Sequence, residues 1–213
     1  MATREQFIEQ LASDNRGGVQ RFLPARSALV WSIFTWVLVL GATLWVSALR
    51  PGWLDQLLAN PRFALETVSG LVAIVLLSVL IFRLGIPGSQ RRGLTIGVIV
   101  SAGVWLASLI GSVFVPTLEV SMLGKRDFCR YEVLVYSIAP FLVGMYLLHR
   151  AYVLNWPAST TLVGITSAMV PAWLMQLACM QDPVHILKDH ITPVIFVALG
   201  TAVIGVLLQR KRA

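Results

Sequence analysis

Apolar residues in this chain come in six long runs separated by short polar stretches. The runs cover 28–49, 63–82, 94–115, 133–148, 158–179 and 191–208. A helix rises about 1.5 Å per residue, so about 20 apolar residues cross a hydrocarbon core of about 30 Å. Each run therefore predicts a membrane-spanning helix, and the segments between them leave no room for a separate globular domain. Turn clusters punctuate the pattern: Arg50-Pro51-Gly52 after the first run, Asn60-Pro61-Arg62 before the second, and Pro116 after the third. Pro140 lies inside the fourth run and predicts a kink there. The expected architecture is an all-α membrane protein, a six-transmembrane-helix bundle occupying residues 27–213.

The first 26 residues are polar and lack an apolar signal-peptide core, so the first run is expected to be a retained anchor. Thr3-Arg4-Glu5-Gln6 has the form of a capping box, in which side chains satisfy the first free amides of a helix. Phe7, Ile8 and Leu11 then fall on one helical face, and Asp14-Asn15-Arg16-Gly17-Gly18 stops the pattern. An amphipathic helix this short is marginal alone in water. It needs a surface to lie on, either lipid headgroups or a partner protein, and residues 1–26 form a candidate partner-binding segment.

Composition agrees with a membrane setting: 57% of the residues are hydrophobic and 13% charged, against about a quarter charged in soluble domains. The net charge of +7 invites a nucleic-acid reading, but the basic residues are dispersed and form no nucleic-acid motif. They are arranged as a topology signal. With the N-terminus inside, 11 of the 17 Lys and Arg residues fall on inner segments and six on outer loops. Both termini are thus expected in the cytoplasm of a bacterium, with the chain in the inner membrane against anionic lipid. Trp31, Trp45, Trp53, Trp156 and Tyr131 lie near run ends, where aromatic rings favour the headgroup layer. They are expected to be interfacial anchors.

Few ionisable residues fall inside the runs. Glu66 and Glu132 lie close to run ends and are expected to reach interfacial water, which speaks against an ion-coupled transporter. No nucleotide-binding glycine loop, nucleophile elbow or zinc-protease motif is present, so an enzyme is not expected. The chemistry-bearing residues are on the outer side. The two cysteines of the chain are Cys129, before the fourth run, and Cys179, at the end of the fifth. His185 and His190 follow in the next outer loop, Cys179-Met-Gln-Asp-Pro-Val-His185-Ile-Leu-Lys-Asp-His190. Three readings stand: a disulfide or redox switch favoured by an oxidising compartment, a site for zinc, cadmium or copper(I), or two unrelated thiols. The spacing matches no standard zinc motif, and no resident cofactor is expected; a soft or transition metal ion is a candidate signal. Met122, Met175 and Met180 on the same side are expected to fill packing.

In this order of features the chain resembles the NrsF-type family of membrane anti-sigma factors. The resemblance rests on Leu49-Arg50-Pro51, Asn60-Pro61-Arg62-Phe63, Pro87-Gly88, one cysteine before the fourth span, and Cys-x5-His-x4-His after the fifth. It covers essentially the whole chain. The resemblance implies a protein that holds an extracytoplasmic-function (ECF) sigma factor at the inner membrane and releases it under stress. By that likeness Cys129 and Cys179 are the sensing pair, His185 and His190 accompany them, and residues 1–26 meet the cytoplasmic sigma factor. Where His-Cys-Pro is expected after the fifth span, this chain has Ala178-Cys179-Met180. The rival readings are a membrane thiol-disulfide oxidoreductase, which ordinarily needs two cysteine pairs, and a small transporter.

Overall fold

The computed structural model describes Glu5 and residues 22–89, 91–116, 118–151 and 153–211. The expected amphipathic helix, with Phe7, Ile8 and Leu11, lies outside the described residues. Seven helices follow: α1 (Pro24–Val46), α2 (Trp53–Ala59), α3 (Pro61–Leu84), α4 (Arg92–Phe114), α5 (Cys129–His149), α6 (Trp156–Ala178) and α7 (Pro183–Arg210). All but the seven-residue α2 are long and apolar enough to cross a membrane. Among the described residues there is no strand, only an isolated antiparallel bridge between Ser121 and Gln181.

The starts of these helices follow from local chemistry. Proline occupies the first turn of α1, α3, α6 and α7, where its missing N–H costs nothing. Asn60 caps α3 by accepting from the amides of Arg62 and Phe63, Asn155 accepts from Ala158, and Asp182 from Val184. Each cap satisfies amides that have no acceptor within their own helix. The helices continue through Pro140 in α5 and Pro171 in α6.

The packing turns around α6, which is buried over most of its length against α3, α5 and α7. Its approach to α7 is set by Gly164, where an added Cβ would stand 2.3–2.7 Å from the side chain of Thr201. Small residues permit such close crossings in membranes, where van der Waals packing is a principal driving force. One aromatic-rich cluster, including Trp31, Phe82, Leu148 and Trp156, closes the end of the bundle where α1 begins and α7 finishes. We call this the terminal end. Arg50, Arg126 and both cysteines gather at the opposite, thiol end.

Three expectations are corrected here. Trp31 and Trp156 are core residues rather than interfacial anchors, because neighbouring helices cover them and the Trp31 indole donates to the Pro140 carbonyl at 2.8 Å. Trp45 and Tyr131 are exposed, as anchors should be, and Trp53 is partly buried against the core. The two glutamates do not reach out to water. Glu66 is buried in the bundle, accepting from Gln176 Nε2 at 3.2 Å and Ser112 Oγ at 3.3 Å. Glu132 is buried against Arg126 at 2.8 Å. Finally, the last helix starts at Pro183 rather than near residue 191, so His185 and His190 belong to its first turns and not to a loop.

A candidate thiol–imidazole site

Helix α6 ends at Cys179, whose extended backbone (φ −100°, ψ 175°) leads the chain away from the helix axis. Two residues later the Gln181 amide and carbonyl exchange 3.0 Å hydrogen bonds with Ser121, pinning the segment that precedes α5. That segment delivers Cys129 as the first residue of α5. Its neighbour Arg126 is buried and reaches back to α1, donating to the carbonyls of Thr43 at 3.1 Å and Ser47 at 2.6 Å as well as to Glu132. The carbonyls at a helix C-terminus lack intrahelical donors, so a cation there satisfies them and meets the negative end of the helix dipole. On the other side of the site, Arg50 is fully buried. It donates to the Cys179 carbonyl at 3.1 Å, to Gln181 Oε1 at 2.8 Å and to Gln56 Oε1 at 2.8 Å. Two buried guanidinium groups therefore clamp the backbone on which the two cysteines stand.

The cysteines are brought together. Their sulfurs lie 2.8 Å apart, both thiols are free, and both side chains are buried beside Met180. His185 Nε2 stands 3.4 Å from Cys179 Sγ. The other nitrogen of that ring, Nδ1, is 3.0 Å from Asp189 Oδ2, while Arg130 holds Asp189 Oδ1 at 2.8 and 3.1 Å. His190 is completely buried and meets the His185 ring edge-on, with centroids 5.2 Å apart. Neither His190 nitrogen has a hydrogen-bond partner. One donor atom from each of Cys129, Cys179, His185 and His190 lies within 4.8 Å of every other.

Two histidines five apart share a side because residues Ile186–Ile191 form a π-helix. In an α-helix, residues five apart diverge by about 140°. The i→i+5 bonding of a π turn removes most of that divergence, and such turns are frequent at functional sites. Pro193 gives a local cause, since a proline inside a helix removes a donor and crowds the carbonyl four residues back.

The Cys179 thiol is held below the ordinary thiol range by the hydrogen bond from Cys129 first, then by His185 and His190, with burial acting in the opposite sense. The two sulfurs form one hydrogen-bonded pair. A cleft of about 430 Å³, lined in part by Lys125, Cys129, Tyr131, His185 and Asp189, opens onto it. Such a pair can close to a disulfide or, with the two imidazoles, present four donors to a soft or borderline cation.

All four of the outer residues singled out from the sequence meet here. Missed were Arg50, read as part of a turn, and Arg126, Arg130 and Asp189. Asp189 had a signal, the helical i,i+4 spacing from His185. Arg50 and Arg126 had none, because most of their partners are backbone carbonyls and side chains distant in sequence.

Residues 11–210 match the NrsF family, described as negative regulator of sigma F. No curated protein and no solved structure matches the chain.

Proposed function

Because the chain belongs to the NrsF family of negative regulators of sigma F, we propose that it holds an ECF sigma factor at the bacterial inner membrane and releases it when Cys129 and Cys179 register a periplasmic signal. The single observation that supports the sensing role is the meeting of the chain's two cysteines at 2.8 Å in a buried site that a cleft reaches. The basic-residue asymmetry supports a cytoplasmic terminal end and a periplasmic thiol end. The family is one of regulators, and a relay of electrons ordinarily needs a second cysteine pair, which the chain lacks. Both points favour regulation over catalysis.

Oxidation by a periplasmic disulfide forms the Cys129–Cys179 bond. The pair gives up two protons and two electrons, and the incoming disulfide leaves as two thiols. The change reaches the cytoplasm along α1. Arg126, three residues before Cys129, grips the carbonyls at one end of α1, and the other end continues into residues 1–26, which dock the sigma factor through Phe7, Ile8 and Leu11. Shifting occupancy from 99% to 1% takes about 5.5 kcal/mol. A disulfide typically contributes about 2–4 kcal/mol, so the thiol switch works together with a bound signal or with oligomerisation.

Copurification from membranes tests this reading. The wild-type chain is expected to bring down a sigma factor. Burying Phe7 or Leu11 is worth about 1.5–3 kcal/mol each, so Phe7→Ala with Leu11→Ala is expected to weaken capture about 100-fold or more. Cys129→Ser is expected to capture normally and fail to release. Absence of any sigma factor from the wild-type preparation overturns the proposal. Undiminished capture by the double variant moves the docking surface to the loops bearing Arg83 and Arg92 or Arg150.

A further inference from the structure

We propose that the groove between α1 and α3 at the terminal end binds one anionic phospholipid, with an acyl chain between the two helices and the phosphate on Arg83. The groove holds about 600 Å³, within the roughly 300–1,000 Å³ usual for small-molecule sites. Leu29, Ile33 and Val37 form one wall on α1, and Val75, Val79 and Arg83 form the other on α3. Each set follows i, i+4, i+8 spacing, so each is a single ridge along its helix. The floor is made of small buried residues, Ala28 and Ser78, and the Ser78 hydroxyl turns back to the Ile74 carbonyl at 2.7 Å. The slot therefore suits hydrocarbon rather than a polar ligand.

The cation at its mouth selects the occupant. Arg83 stands in the last turn of α3, so it ends the apolar ridge at headgroup level. Its side chain is half-buried, and its carbonyl accepts from Ser89 and Ile86. Among the described residues nothing accepts from its guanidinium. A partly desolvated charge without a partner is costly, and a guanidinium fits two phosphate oxygens as a bidentate fork. A zwitterionic headgroup carries its own cation to compete for that phosphate. An anionic headgroup leaves it to Arg83.

The length agrees as well. From Val75 to Arg83 the ridge rises about 12 Å, and one leaflet of a hydrocarbon core of about 30 Å is about 15 Å deep. A chain laid along the ridge thus starts at the surface and runs most of the way to the midplane. The exposed faces of Leu29, Ile33, Val37 and Val75 are the surface it covers. The bound lipid braces the first turns of α1 against α3, at the end that leads into residues 1–26. The site is independent of the sensor proposed above and involves neither thiol.

The test is native mass spectrometry of the full chain, delipidated in detergent and given phosphatidylglycerol or phosphatidylcholine of the same acyl composition. One phosphatidylglycerol per chain is expected to survive release from the micelle, with phosphatidylcholine held about 10-fold less tightly, as the loss of one charge-assisted contact implies. Arg83→Gln is expected to remove that preference. Arg91→Gln, which alters an exposed cation at the same end outside the groove, should leave it intact. Val75→Trp keeps the cation and fills the slot, so it should lose phosphatidylglycerol while the lipid-free chain unfolds as the wild type does. Equal retention of the two lipids by the wild type overturns the site. So does a loss in Arg91→Gln matching that in Arg83→Gln, which would make the attraction a diffuse one over the basic end. A wild-type dimer that Val75→Trp splits would give the groove to a second copy of the chain and overturn the lipid site too.

Discussion

Helices α6 and α7 cross at Gly164 and Thr201, yet they inhabit different surroundings. Of the most apolar stretch of α6, 83% is buried by protein, against 17% for α7. Hydropathy runs the other way: the mean is 1.4 for α6 and 2.5 for α7, the lowest and highest of the six spans. In a soluble domain the most apolar helix would be innermost. Here lipid is as apolar as any side chain, so greasy surface has no reason to hide. What must be enclosed is polarity. Helix α6 buries Ser159, Thr160, Thr166, Ser167 and Gln176, while α7 presents Ile195, Phe196, Leu199, Val203 and Leu207 outward. Polar groups, small residues and aromatic N–H donors mark the interior, as when Trp105 donates to Gln176 Oε1 and Trp173 to the Thr67 carbonyl.

Substitutions can break this contrast, and the largest effect is expected where the two helices touch. Gly164→Leu forces a side chain into the space of Thr201 and should destabilise the bundle by about 3 kcal/mol or more. Unfolding in mixed micelles would show it, and unchanged stability would mean the helices do not approach as described. Because α7 carries the two histidines, the same variant should also expose Cys179 to alkylation.

Gln176→Leu is the sharper test, since it makes α6 more apolar. It takes a hydrogen-bond partner from both Glu66 and the Trp105 indole, so stability is expected to fall by about 1–3 kcal/mol. A rise in the same unfolding measurement would show that apolarity, not polar satisfaction, governs the core. On α7, Gly200 has no atom within 4 Å of where a Cβ would be. Gly200→Leu there should change stability by no more than about 0.5 kcal/mol, as an outward position allows. A large loss would place an unseen protein surface against that face.

Much of the site was legible before any coordinates. Two cysteines and two histidines on one side of the topology were enough to pick out Cys129, Cys179, His185 and His190, because alternating spans place alternate connections on the same side. The apolar stripe Phe7, Ile8, Leu11 is a reading of the sequence that lies outside the described residues. The clamp was hidden. Arg50 looked like a turn residue and Arg126 like a loop charge, because the carbonyls they bind stand at the far ends of α6 and α1, which no local pattern records. Glu66 was misplaced for the same reason. Its depth depends on Ser112 and Gln176, donors from two other helices, and not on its distance from the start of its own span.

What the sequence determined by itself was the number of spans and, to within a few residues, where all but the last begin. A bilayer demands about 20 apolar residues per crossing and leaves no backbone amide unsatisfied, so the six runs and their Pro, Asn and Asp starts speak locally. Tertiary structure decided which face of each span turns inward, since lipid and core are equally apolar and hydropathy cannot tell them apart. It also decided that the π turn of α7 brings His190 beside Cys179. That meeting joins the start of α5, the end of α6 and the first turns of α7, and no one-dimensional spacing contains it.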